Sequence, residues 1–318
     1  MKILVTGGLG FIGHNVVYKL LQLGHTPIIV DNKTGYGVIT NKELNYIMDE
    51  RSKKIFNHTI YNFDISNYYT LEKLFDTHDI DCVIHLASFP RQKVTSNNPS
   101  WASKTMSEGL LNLLELSKKN KVKKFVYISS SMVYGNFLDH TNEDCVCNPQ
   151  GQYGILKLAG EWLLKDYAKK GHFSYTIIRP SAVYGPTDVM DRVIGKFLVQ
   201  AMRSQVIKVN GIHEKLDFTY VDDIANGIVI ATLSNNTSNK TYNVTRGVSH
   251  TLYHAAELIV DIVGKGNIEI TNRDLEMPSR GALNIDKARN DFGYDPKITL
   301  EQGLILYYEW IRNSIFRS

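Results

Sequence analysis

The segment "KILVTGGLGFIG", Lys2 to Gly13, limits the fold more than any other part of the chain. Its first half reads as a buried strand and its second half as the opening of a helix. The turn between them carries Gly7, Gly10 and Gly13. Glycine spacing alone is weak. Between a strand and a helix, with Asp31 closing the next apolar run "TPIIVD", it becomes specific for dinucleotide binding. Glycines let the backbone approach a pyrophosphate, and a helix N-terminus supplies free N–H groups and positive dipole. Asp31 then accepts hydrogen bonds from the adenosine ribose hydroxyls and repels a 2′-phosphate, so NAD is expected rather than NADP. The alternative is a tight turn that merely packs a helix on a sheet.

Further apolar runs follow: "IYNFDI", "CVIHLA", "KFVYISS" and "YTIIRP". Between the runs lie "GHNVVYKLLQLG", "YYTLEKLFDTH", "GLLNLLELSKKN" and "LKLAGEWLLKDYAKKG", each with apolar residues at helical spacing. Strands apolar on both faces, separated by helices, predict an α/β fold with a doubly wound parallel sheet of Rossmann type. Ligands of such sheets bind beyond the carboxyl ends of the strands, around the topological switch point. Residues 1–180 are expected to form the NAD-binding domain and 181–318 a smaller substrate-binding lobe, with parts of roughly 215–250 open to returning to the cofactor domain.

A formal charge of +4 on 318 residues, with no Lys/Arg block interleaved with aromatics, gives no reason to expect a nucleic-acid partner. No apolar run approaches a membrane span and no signal peptide is visible, so a cytoplasmic protein without a membrane partner is expected. Cys145 and Cys147 are too few to close a metal site, and with Cys82 they offer no disulfide framework. No metal is expected.

One strand runs out into three hydroxyls and a thioether, "YISSSM". One loop later, Tyr153 and Lys157 in "YGILK" lie one turn apart on a predicted helix, hence on one face. A phenol with a pKa near ~10 is a poor base at neutral pH. A nearby ammonium and an oxidised nicotinamide both favour the phenolate and lower that pKa. A strand-end hydroxyl can then hold a substrate oxygen while Tyr153 takes its proton and NAD takes the hydride. Tyr69 and Lys73 in "YTLEK" share the spacing, but on a helix with no reason to meet a nicotinamide. Chance accounts for that pair.

The segments "TGGLGFIG", "HLAS", "YISSSMVYG", "YGILK" with Glu161, "RPSAVYGP", "DFTYVDD" and "NIDKARNDFGYDPKITLEQGL" span nearly the whole chain. Together they resemble the extended short-chain dehydrogenase/reductases, the family of NAD-dependent nucleotide-sugar epimerases and dehydratases. The resemblance implies that Ser130 is the catalytic hydroxyl, Tyr153 the general base and Lys157 a ligand of the nicotinamide ribose. It implies Phe11, Ile12 and Asn32 as further cofactor contacts, Asp64 and Ile65 beside the adenine, and Leu86, Ala87 and Ser88 along the dinucleotide. Arg280 matches an arginine near the nucleotide-sugar phosphates, and Arg91 and Ser131 are further candidate substrate contacts. Ser129 can instead be a strand-end residue satisfied by local hydrogen bonds. In the family, two helices pack against their copies in a second subunit. Here they correspond to "SWASKTMSEGLLNLLELSKK" and the helix carrying Tyr153, which implies a homodimer.

In the family's dehydratases an acidic pair follows the catalytic hydroxyl and eliminates water across C5 and C6. Ser131 and Met132 stand there instead, and neither can do that work. What remains is oxidation at a sugar carbon, usually C4 in this family. A 4-epimerase, a net C4 dehydrogenase and a 4-keto reductase share these residues; a non-catalytic dinucleotide sensor is the reading from a different class. Ala182, Leu216 (beside Lys215) and Met106 depart from the family's pattern and leave the nucleotide open among UDP, GDP and dTDP. The stretch "SFPRQK" faces the sugar in this reading, with Arg91 or Lys93 meeting a phosphate or carboxylate; a solvated charged loop is the alternative.

Overall fold

Seven parallel strands make the central sheet of the computed structural model, which describes residues 1–56 and 58–317. They are β1 (Lys2–Thr6), β2 (Thr26–Val30), β3 (Ile60–Tyr61), β4 (Cys82–His85), β5 (Lys124–Ile128), β6 (Ser174–Arg179) and a seventh strand, Lys240–Asn243. Their order across the sheet is seventh, β6, β5, β4, β1, β2, β3, and every neighbouring pair runs parallel. The runs are apolar throughout because both faces are covered. Ile3, Val5, Ile29, Ile84, Val126 and Ile178 enter one core, while Leu4, Ile28, Val30, Val83, Phe125 and Ile177 enter the other. This is the doubly wound Rossmann-type architecture. The chain leaves β1 toward β2 on one side and returns to β4 on the other, so a crevice opens above their carboxyl ends.

Helix α1 (Gly13–Gln22) packs Val16, Val17 and Leu20 against Ile224, Ile228 and Val229 of the Val221–Leu233 helix. That helix and the Lys240–Asn243 strand bring the chain back to the sheet after β6. A third core, including Phe197, Leu198, Ile207, Ile259, Leu304 and Tyr307, holds several of the C-terminal elements beside the crevice, while Ile285, Ala288 and Tyr294 join the first core.

Several elements differ from their sequence signatures. The "IYNFDI" run forms a strand only over Ile60–Tyr61. The helix expected over "SWASKTMSEGLLNLLELSKK" is interrupted by a π turn at Lys104–Glu108, between Pro99–Ser103 and Gly109–Lys119. The Asn41–Lys54 helix had no sequence expectation: its periodic apolar signal is weak, and only Ile47 and Arg51 are buried. It is nonetheless well started, because Thr40 and Glu43 cap each other's backbone N–H groups. Among the described residues, no helix is long and apolar enough to cross a membrane.

Candidate active site

The crevice above β1, β4 and β5 is a cleft of about 550 Å³, and the cofactor and substrate residues singled out from the sequence border it, Lys93 excepted. The Gly turn forms its floor. At Gly7, whose φ is +70°, a Cβ would come within 2.7 Å of the Ala87 nitrogen; at Gly13 it would overlap the Gly7 carbonyl oxygen. No side chain caps α1 and no acid occupies its first turn, so the positive end of the helix faces the cleft. A pyrophosphate fits such a cradle.

Asp31 ends β2, with one carboxylate oxygen accepting from the Leu9 N–H at 2.9 Å and the other from the Lys33 N–H at 2.7 Å. Burial raises its pKa, and those two N–H groups oppose the rise. Asn32 donates to Asp64 at 2.9 Å, which joins the segments that follow β2 and β3. Ile65 is buried against Gly109. Leu86, Ala87 and Ser88 run out of β4 over the Gly turn.

At the other end of the cleft, β5 terminates in the three serines, and each has a different partner. Ser129 donates to Glu161 Oε1 at 2.5 Å rather than to local backbone, so the expectation of a locally satisfied turn residue is corrected. Arg179 clasps the same carboxylate with Nε at 2.9 Å and Nη2 at 2.6 Å, both side chains being almost fully buried. Ser130 Oγ accepts the Met132 N–H at 3.2 Å, which starts a 3₁₀ turn, and its hydroxyl meets the Tyr153 phenol. Ser131 donates to Ser181 Oγ at 3.1 Å along the wall of the cleft. Met132 is buried against Arg280, whose Nη1 lies 4.0 Å from the sulfur and whose buried Nε has no hydrogen-bond partner among the described residues.

Tyr153 and Lys157 do share one face of the Gln152–Lys169 helix. Lys157 donates to the Ile128 carbonyl at 2.7 Å and stands 5.2 Å from the Tyr127 ring and 5.9 Å from the Tyr153 ring. Burial holds the Lys157 ammonium down to about 7, against the attraction of Glu161. Tyr153 is raised in the protein alone, whereas the lowering expected from an oxidised nicotinamide belongs to the NAD-bound protein. Burial raises the phenol above its ordinary value, with the Ser130 hydroxyl and the Arg192 guanidinium opposing it. The Lys157 ammonium is engaged by a carbonyl, and desolvation outweighs what the neighbours offer.

Other cations are already paired. Arg91 meets Asp191, and Lys215 reaches Asp139 at 3.2 Å. Lys93 is exposed and does not border the cleft. Tyr69, of the decoy pair, is 77% exposed and lies outside it.

The profile of the NAD dependent epimerase/dehydratase family matches residues 3–245. The chain belongs to that family. It is therefore an enzyme whose cofactor is NAD. Among its relatives, the UDP-glucuronate 4-epimerase of Thermodesulfobacterium geofontis is 32% identical over 316 residues, covering 98% of this chain and 96% of that protein. The UDP-glucuronic acid 4-epimerase of Bacillus cereus, solved with UDP-glucuronic acid and NAD, superposes with a TM-score of 0.90 at 28% identity, covering 98% and 99% of the two chains. The UDP-glucose 4-epimerase of Thermotoga maritima, solved with UDP-glucose, gives 0.88 at 30% identity with the same coverage.

Within this family fold the cleft carries residues that no sequence pattern had marked. Arg51 is buried, donating to the Leu9 carbonyl at 3.1 Å and the Thr187 carbonyl at 2.8 Å, so it ties the Gly turn to the far wall. Arg192 donates to the Pro90 carbonyl at 3.1 Å and lies 3.8 Å from Asp188. Thr105 sits in the π turn and borders the cleft with a buried hydroxyl that has no hydrogen-bond partner among the described residues. A π turn advances the helical phase by one residue, so the regular period gave no sign of this orientation.

Proposed function

We propose that the protein is a nucleotide-sugar 4-epimerase that oxidises the C4 hydroxyl of a UDP-sugar and returns the hydride to the opposite face. The convergence of Ser130, Tyr153 and Lys157 at one end of a cleft whose other end is the Gly turn and Asp31 carries this reading. The nucleotide comes from the UDP-sugar epimerases that the chain resembles over nearly its full length. NAD supplies the hydride acceptor and, when oxidised, a positive charge beside the phenol. Ser130 holds the C4 oxygen and Tyr153 removes its proton. Lys157 binds the nicotinamide ribose and restrains the Tyr153 ring. Arg280, with a free buried Nε, reaches the substrate phosphates. The C-terminal elements that do not return to the sheet form the substrate lobe.

Product analysis with UDP-glucose and UDP-glucuronate tests the reading, and the C4 epimer of one of them is the expected product. Net accumulation of oxidised sugar with stoichiometric reduced cofactor would instead identify a dehydrogenase. A 4-keto-6-deoxy product would overturn the reading. Ser131 is turned to Ser181 and Met132 has no proton to exchange, so no acid stands where dehydration needs one.

Asp31 leads to a second expectation. A 2′-phosphate would place like charges together, and about 1.4 kcal/mol of repulsion already amounts to tenfold in affinity. Titration should show NAD binding at least about tenfold more tightly than NADP. Equal affinities would remove Asp31 from the ribose site.

We propose a homodimer through the Gly109–Lys119 and Gln152–Lys169 helices, on which Leu111, Ile155 and Trp162 stand exposed, Trp162 at 64%. Sedimentation at micromolar concentration should give a dimer, and Trp162→Glu should give a monomer. A monomeric unmodified protein would refute the assignment. A cytoplasmic location accords with three free thiols, Cys82, Cys145 and Cys147.

A further inference from the structure

The helix that carries Tyr153 starts without a cap of its own. Its N-cap residue, Gly151, has no side chain to offer, and the N–H groups of the first turn need acceptors. One acceptor arrives from elsewhere in the fold. Gln92 Oε1 accepts the Tyr153 backbone N–H at 3.0 Å, and its amide nitrogen donates to Ser96 Oγ at 3.0 Å, which fixes the orientation of the carboxamide. Gly151 has a φ of +79°, and a Cβ there would occupy the space of the Gln92 carboxamide. The glycine that leaves the helix uncapped is thus the residue that admits the substitute.

Gln92 closes the segment that follows β4, and this segment is anchored on both sides. Phe89 and Val94 pack with Tyr153. From the opposite wall Arg192 bonds the Pro90 carbonyl, and Asp191 pairs with Arg91. A hydrogen bond from so constrained a segment to the backbone of Tyr153 itself determines where its Cα, and hence its phenol, lies relative to Ser130.

We infer that Gln92 is a positioning residue for Tyr153, acting through the first turn of the helix rather than on the substrate. The inference rests on Tyr153 being the base, so it needs one readout that does not require turnover. Gln92→Met keeps the length and removes the acceptor. Gln92→Glu keeps the acceptor and adds a negative charge at the Tyr153 backbone N–H.

In NAD-loaded protein, tyrosinate formation followed by ultraviolet difference titration, with Tyr153→Phe as the blank, should show Tyr153 titrating roughly one pH unit higher in Gln92→Glu. A displacement of about 1 Å can cost about 10²-fold in rate. With whichever of UDP-glucose and UDP-glucuronate is turned over, Gln92→Met should therefore lose roughly 10- to 100-fold in kcat, with KM and NAD affinity within about twofold. Gln92→Glu should recover kcat to within about threefold of the unmodified protein once the pH exceeds its shifted limb. Unchanged kcat in Gln92→Met, or a Gln92→Glu no better than Gln92→Met, overturns the inference. If neither sugar reacts, the proposed function fails while the titration still decides: a Tyr153 titration unmoved by Gln92→Met, which would mean that the Ser130 hydrogen bond to the phenol is kept without the acceptor, overturns the positioning role.

Discussion

Tyr153→Phe should lower turnover by roughly 10³- to 10⁴-fold while leaving NAD affinity within a few-fold of the unmodified protein. Phenylalanine keeps the ring contacts with Phe89, Val94 and Met106, so the helix and the cleft stay as they are. Only the oxygen that takes the proton is lost. Ser130→Ala should cost much less, roughly 2- to 12-fold, because it removes one hydrogen bond of about 0.5–1.5 kcal/mol and leaves the base in place. The pH dependence has a definite sign. Burial raises the Tyr153 phenol, so the reactive phenolate becomes more populated as pH rises and kcat should climb to a plateau. The oxidised cofactor's positive charge moves that limb down, and removing the Arg192 charge with Arg192→Met should move it up. A Tyr153→Phe protein that keeps more than a tenth of its turnover would mean another group takes the proton.

Arg179→Met should destabilise the fold by about 3–5 kcal/mol, read as a lower urea midpoint at an unchanged slope. Arg179 supplies two of the hydrogen bonds to the Glu161 carboxylate, and Glu161 is fully buried. After the substitution the carboxylate keeps only the Ser129 hydroxyl. The guanidinium also donates to the Tyr134 hydroxyl at 2.9 Å and lies 4.8 Å from that ring, so packing is lost with charge. Replacing both partners tests the cause. A buried ion pair exchanged for apolar residues of similar volume is often near neutral, so Glu161→Leu with Arg179→Met should regain at least about half of the loss. Additive losses would show that the damage comes from cavities rather than from a stranded charge. Glu161 also supports the Lys157 ammonium, which sits one turn before it on the same helix. Arg179 and Glu161 thus stabilise the helix that carries Tyr153 and Lys157.

The local patterns of the chain determined the architecture and pointed to residues that border the cleft. Apolar runs alternating with helical spacing require a two-faced parallel sheet, and any ligand of that sheet meets the strand ends. Gly7, Asp31 and Ser130 lie just beyond such ends, and Tyr153 and Lys157 share one face of the helix that follows β5, where element type alone sets their direction. The homologous segments then placed Asp64, Leu86 and Arg280 around the same cleft. Tertiary structure decided the rest. Arg51 reaches a carbonyl 136 residues away, and Gln92 caps a helix 61 residues downstream. A single polar residue leaves no periodic trace of a partner so distant. Ser129 looked like a local turn residue because its acceptor, Glu161, lies 32 residues on and arrives only when the helix packs on β5. The Tyr153 pKa shift could not be read from the spacing of Tyr153 and Lys157. Desolvation, the largest contribution to it, exists only once the cleft has closed around the phenol. Type and order of elements follow from short-range sterics and apolar periodicity, whereas partners, burial and charge balance follow from contacts the chain makes only when folded.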